Sequence, residues 1–198
     1  MKPTYVELMR HGEPVGGPKF RGRLDDPLSD LGWQQMRDAV GEDDSWDLII
    51  ASPLSRCAAF AHELAEKKSL PIIVEPEFVE LSFGDWEGHK PSEPPLKDDP
   101  KVLGFWEDPL TNTPPGGECL HEFELRIASA WQRLLAEHGG EKVLLVAHGG
   151  VIRIVVSQVL QSPLSAIFRL DVPYASRSLI EVYQGQEELF PRLLYHAR

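Results

Sequence analysis

Apolar positions along the chain fall into short runs, and the runs sort into two periods. Segment 4–10, TYVELMR, is strand-like and ends at His11-Gly12-Glu13. WDLIIAS (46–52) and KVLLVAH (142–148) are nearly continuous apolar runs, of the length of a strand buried on both faces. PIIV (71–74) predicts another short strand, and IFRLDV with SLIEVYQ near the C-terminus one or two more. Between these runs the period becomes helical. In 29–41, Ser29 or Asp30 caps a helix with Leu31, Met36, Ala39 and Val40 among its apolar positions, and Gly41 ends it. Ser52-Pro53 opens a second helix with Pro53 in its first turn, carrying Leu54, Cys57, Ala58, Ala61, Leu64 and Ala65. From about 118 to 138, Phe123, Ile127, Ala130, Trp131, Leu134 and Leu135 recur at helical spacing before Gly139-Gly140. A last helix, VIRIVVSQVL, follows Gly149-Gly150.

Strands alternating with helices predict an α/β fold: three layers, α/β/α, with a mixed, mostly parallel sheet in the middle. One domain is expected over 1–198. Residues 84–117 are rich in Pro, Gly and acidic side chains and predict an inserted, partly irregular flap. Its Trp86, Phe105 and Trp106 either form the flap's own small core or stack on a heteroaromatic group. In such sheets ligands gather at the carboxyl ends of the strands. His11 and His148 sit at two such ends, and Arg56 lies in the first turn of the helix after the second strand.

The net charge of −11 argues against nucleic acid or an anionic membrane as partner. No apolar run approaches the roughly 18–20 residues of a membrane span. The N-terminus enters a strand with no basic-then-apolar leader, so a cytoplasmic location is expected. Cys57 and Cys119 are far apart and outside any metal-type spacing, which predicts small buried hydrophobes rather than a disulfide. His62-Glu63 begins a zinc-protease-like pattern, but Glu66 stands where its second histidine belongs. There is no P-loop, nucleophile elbow, C-x-x-C or dinucleotide fingerprint.

An imidazole at a strand end can attack phosphorus and form a phosphohistidine. That chemistry needs a fixed tautomer, cationic donors for the phosphoryl oxygens and an acid for the leaving oxygen. Arginine suits the second task through its planar fork, and N–H groups at a glycine-rich helix start such as Gly149-Gly150 add to it. An acidic protein that binds an anion must therefore concentrate arginines locally.

LMRHGEP (8–14) resembles the signature of the histidine phosphatase superfamily, the phosphoglycerate mutase-like proteins. SPLSRC (52–57), ELSFGDWEG (80–88), PPGGE (114–118) and LLVAHGGVIR (144–153) follow in the order of that family's landmarks. The resemblance implies His11 as nucleophile and Arg10 and Arg56 as ligands of the transferring phosphoryl group. It implies His148 as a donor to the same oxygens, with Gly149 beside it, and Glu80 as the acid for the leaving group and then the base for water. No metal or cofactor is implied. Many members carry an Asn contact to phosphate shortly after HGE. Pro14-Val15-Gly16-Gly17-Pro18 offers none, which makes Arg21 and Arg23 the candidate replacements. Arg153 is expected to be structural.

The phrases at 20–37, 83–88 and 105–118 resemble α-ribazole phosphatases more than mutases. They imply hydrolysis of α-ribazole 5′-phosphate in cobalamin biosynthesis, by a monomer or homodimer acting on a small-molecule ester. The alternative is a phosphatase of sugar, glycolytic or varied small phosphates. A mutase would need long capping insertions that this chain lacks. A silent, ligand-binding member is expected to lose the nucleophile or the acid, and both are present.

Overall fold

β1 (Thr4–Arg10), β2 (Leu48–Ala51) and β4 (Lys142–Ala147) alternate their side chains between two apolar cores. Val6, Leu8, Leu48, Ile50, Val143 and Leu145 enter one; Met9, Ile49, Ala51, Leu144 and Val146 enter the other. A strand with both faces buried needs no polar side, which is why these runs are almost continuously apolar. Helices α4 (Leu120–Glu137) and α5 (Gly149–Val159) cover the first face with Phe123, Ile127, Trp131 and Val155. Helices α1 (Asp30–Asp38) and α2 (Ser55–Lys68) cover the second with Met36, Cys57, Phe60 and Leu64. The protein is thus a three-layer α/β/α fold. The computed structural model describes residues 2–185 and 188–198.

The sheet has six strands in the order β3-β2-β4-β1-β5-β6, with β3 (Ile72–Val74) at one edge. β3, β2, β4 and β1 run parallel; β5 (Arg177–Gln184) runs against β1, and β6 (Leu189–Tyr195) runs against β5 and so in the direction of β1. In the β1–β4 pair Arg10 lies opposite Ala147, so the residues after each strand, His11 and His148, emerge side by side. In the β2–β4 pair Ala51 lies opposite Val146, which brings Ser52 level with them.

Four expectations are corrected. IFRLDV is not a strand: Leu164–Arg169 is a 3₁₀ turn behind Pro163. In a strand Ile167 and Phe168 would face opposite sides, whereas here both pack on the same core. β6 was not anticipated as a strand of its own; it is an edge strand containing Pro191, a residue tolerated there because no ladder donor is needed on the open side. Pro53 precedes α2, whose cap is Leu54, although Arg56 keeps its place in the first turn. Cys119 is only partly buried, and its thiol caps α4 by accepting from Glu122 N.

Within 84–117 the chain forms a 3₁₀ turn at Gly84–Trp86 and a helix α3 (Pro100–Glu107), capped by Asp99 with Pro100 in the first turn. Trp86 and Phe105 are buried in the main core, and Trp106 is 48% exposed. No helix among the described residues is long and apolar enough to cross a membrane.

Candidate active site

The carboxyl ends of β1, β2 and β4 open onto a cavity of about 430 Å³ lined by Arg10, His11, Arg56, Glu80, Gly149 and Gly150, among others. His11 is placed by the strand ladder, its N–H donating to Ala147 O at 3.0 Å. Its ring Nδ1 lies 2.7 Å from Gly12 O. A carbonyl only accepts, so Nδ1 carries the proton and Nε2 keeps its lone pair. Burial holds the His11 imidazole well below its usual pKa, and the Arg56 and Arg10 charges push the same way. The ring is a neutral base with one tautomer fixed.

Arg56 is 1% exposed, and its two terminal nitrogens donate to Gly22 O and Leu24 O, each at 2.8 Å. Arg10 stacks on Tyr174 with its guanidinium 4.0 Å from the ring centre, and it donates to Val172 O. In both residues Nε is buried and has no hydrogen-bond partner among the described residues. An unsatisfied buried N–H costs on the order of 1–3 kcal/mol. Both guanidinium groups belong to residues that line the cavity with His11, a placement that suits an oxyanion.

Glu80 stands at the N-terminus of α5. Gly150 N donates to its Oε2 at 3.0 Å and Leu81 N to its Oε1 at 2.9 Å. A Cβ on Gly150 would collide with Glu80 Oε1, so the glycine is what lets the carboxylate seat there. Gly149 likewise leaves room for Arg10.

His148 is wholly buried, with Nε2 2.7 Å from Ser52 Oγ and its ring centre 5.2 Å from that of His11. It packs behind His11 and is not among the residues lining the cavity. Burial first, then Arg56 and His11, lower its pKa well below the usual value. Behind it the Cys57 thiol is pushed far up by burial and stays protonated.

The two loop arginines part company. Arg21 is buried and lines the cavity while holding the 14–18 loop through Val15 O and Gly17 O, with Asp26 on its Nε. Gly22 adopts a positive φ of 50°, which turns the chain, and Arg23 projects outward to Glu118. Arg23 does not reach the cavity. Conversely, Arg153, expected to be structural, lines it. Helical side chains lean toward the N-terminus, so a residue four places after Gly149 covers the turn that starts there. That i, i+4 spacing was the signal in the sequence. Phe20, Trp106 and Phe168 wall the mouth, with Trp106 stacked over Phe20 at 6.1 Å and 17°. No group of three or more His, Cys, Asp or Glu that could hold a metal gathers among the described residues.

A neutral, oriented imidazole ringed by underused guanidinium donors, with a carboxylate across from it, defines a site of the phosphoryl-transfer class. The chain belongs to the histidine phosphatase superfamily (branch 1), whose profile matches residues 6–190. It is 26% identical over 181 residues to the adenosylcobalamin/α-ribazole phosphatase of Escherichia coli K12, covering 89% of each chain. It is 30% identical over 186 residues to a bifunctional protein of Mycobacterium tuberculosis, where 91% of this chain spans about half (51%) of that protein. Among solved structures, a mycobacterial glucosyl-3-phosphoglycerate phosphatase superposes with a TM-score of 0.86 at 27% identity, covering 99% of both chains.

Proposed function

We propose that this protein hydrolyses phosphate monoesters in two steps through phospho-His11. The observation that carries this is His11, its Nδ1 held on Gly12 O so that Nε2 keeps a lone pair, lining one cavity with Arg10, Arg56 and Glu80. His11 Nε2 attacks phosphorus, the P–O ester bond breaks, and protonated Glu80 gives its proton to the leaving oxygen. Glu80, now a carboxylate, takes a proton from water as that water attacks phosphorus. The P–N bond breaks and phosphate departs, leaving His11 and Glu80 as they began. Arg10 and Arg56 hold the equatorial oxygens throughout. His148, pressed on the His11 ring and fixed by Ser52, supports the nucleophile from behind and reaches the oxygens only if its ring turns forward.

Acid quenching of the enzyme with a labelled ester is expected to trap acid-labile phosphate on His11. A His11→Ala variant that still turned over p-nitrophenyl phosphate at the wild-type rate would overturn the mechanism.

For the substrate, the loop phrases, the α-ribazole name carried by the E. coli relative and the aromatic mouth support α-ribazole 5′-phosphate, whose base is planar and apolar. Arg153 supports a second reading, phosphate esters of small acids. Steady-state kcat/KM values for α-ribazole 5′-phosphate, O-phosphoserine and a sugar phosphate separate these. Equal values across the panel would point to broad specificity instead.

A further inference from the structure

Arg153 differs from the other cavity arginines in what surrounds it. Its Nε donates to Leu170 O at 2.9 Å, and no other hydrogen bond or ion pair engages the guanidinium among the described residues. The position a Cβ would take on Gly149 lies 2.9 Å from Arg153 Nη1 and 3.5 Å from Arg10 Nε, so both groups converge on the first turn of α5. Burial lowers the pKa of Arg153, while Glu80 and Asp171 oppose it. Glu80 Oε1 lies against the next position, Gly150, so Arg153 and the acid proposed for the leaving oxygen share the first turn of α5, with Phe168 6.0 Å from the Arg153 guanidinium.

We infer that Arg153 is a specificity-determining residue that binds an anionic group, a carboxylate close to the ester oxygen, on the leaving group of the substrate. This rests on the phosphatase reading and deepens its second substrate reading, esters of small acids, in place of α-ribazole 5′-phosphate. A guanidinium with its outer fork open matches a carboxylate in plane and charge. A substrate without that group would leave a partly buried charge with no partner.

The experiment compares two esters that differ by one carboxylate, 2-phosphoglycolate and ethyl phosphate. The readout is the ratio of their kcat/KM values within each variant, which a general folding defect does not move. The wild type is expected to favour 2-phosphoglycolate by about tenfold or more, as for a charge-assisted hydrogen bond. In Arg153→Gln the ratio is expected to fall toward one. Arg153→Lys, which keeps the charge without the fork, is expected to lie between them and serves if the Gln variant does not fold. A wild-type ratio near one, an Arg153→Gln ratio equal to that of the wild type, or a kcat/KM for α-ribazole 5′-phosphate above that for 2-phosphoglycolate would overturn the subsite. Wild-type protein that also left p-nitrophenyl phosphate intact would remove the phosphatase reading itself, and the subsite with it.

Discussion

At the scale of single residues, the site depends as much on missing side chains as on present ones. Gly150 has no positive φ to maintain; its role is to leave space for Glu80 on the α5 N-terminus. Gly150→Ala is therefore expected to leave the helix intact, since alanine favours it, and to displace Glu80. Turnover of esters with poor leaving groups should drop by about 10²-fold, the usual contribution of general acid catalysis. Esters of p-nitrophenol, which leave without much protonation, should be less affected. Equal losses for both, measured as kcat, would mean that Glu80 is not the acid. His11, Arg10 and Arg56 were legible in the sequence because each abuts the end or the first turn of a strongly patterned element. The place of Arg153 at the cavity was not, because it depends on how far a side chain reaches back along its helix. Arg23 misled for the converse reason: the backbone turn at Gly22 decides which neighbour faces inward, and residue type does not reveal it.

At the scale of elements, the start of α1 is tied to the short segment that follows β1 and begins at His11. Ser29 Oγ accepts from Gly32 N and donates to Glu13 O, each at 3.0 Å, and Ser29 N donates to the same carbonyl at 2.9 Å. Gly12 and Gly32 allow the close backbone approach this requires. Ser29→Ala removes the cap and is expected to cost about 1 kcal/mol, measurable by urea unfolding. A change under about 0.3 kcal/mol would show that the cap is replaced, for instance by water. Elements with a strong period, β1, β2, β4, α2 and α4, were legible to within a few residues. β6 was not, because an edge strand with one open side lacks the continuous apolar run of its buried neighbours. The 3₁₀ turn at Leu164–Arg169 was misread because Phe168-Arg169-Leu170-Asp171-Val172 alternates apolar and polar residues at the period of a strand.

At the scale of the whole molecule, folding buries two neutral imidazoles. His11 and His148 both have pKa values well below the usual 6.5. As pH falls through 6.5 the unfolded chain takes up protons on both, while the folded protein does not until lower pH. The unfolded state thus binds more protons in that window, and stability is lost as pH falls through it. The slope approaches about 2.7 kcal/mol per pH unit if both groups contribute fully. Urea midpoints should be lower at pH 5.5 than at pH 7.5, and a His148→Asn variant should show a shallower dependence. A midpoint that is flat across that range would mean that the two rings are protonated in the folded state. The cavity also shows how a chain of net charge −11 presents a cationic seat: among its described lining residues Lys19, Arg10, Arg21, Arg56 and Arg153 face a single carboxylate, Glu80.

The pairing of Arg10 opposite Ala147 has a consequence for refolding. Slippage of β1 by one residue against β4 would send Val6 and Leu8 to the wrong core and turn His11 away from His148. Core and nucleophile are thus specified by one ladder of hydrogen bonds. Recovery of phosphoenzyme formation after denaturation would then act as a direct readout of native strand alignment, sensitive to errors that a secondary-structure signal would pass over.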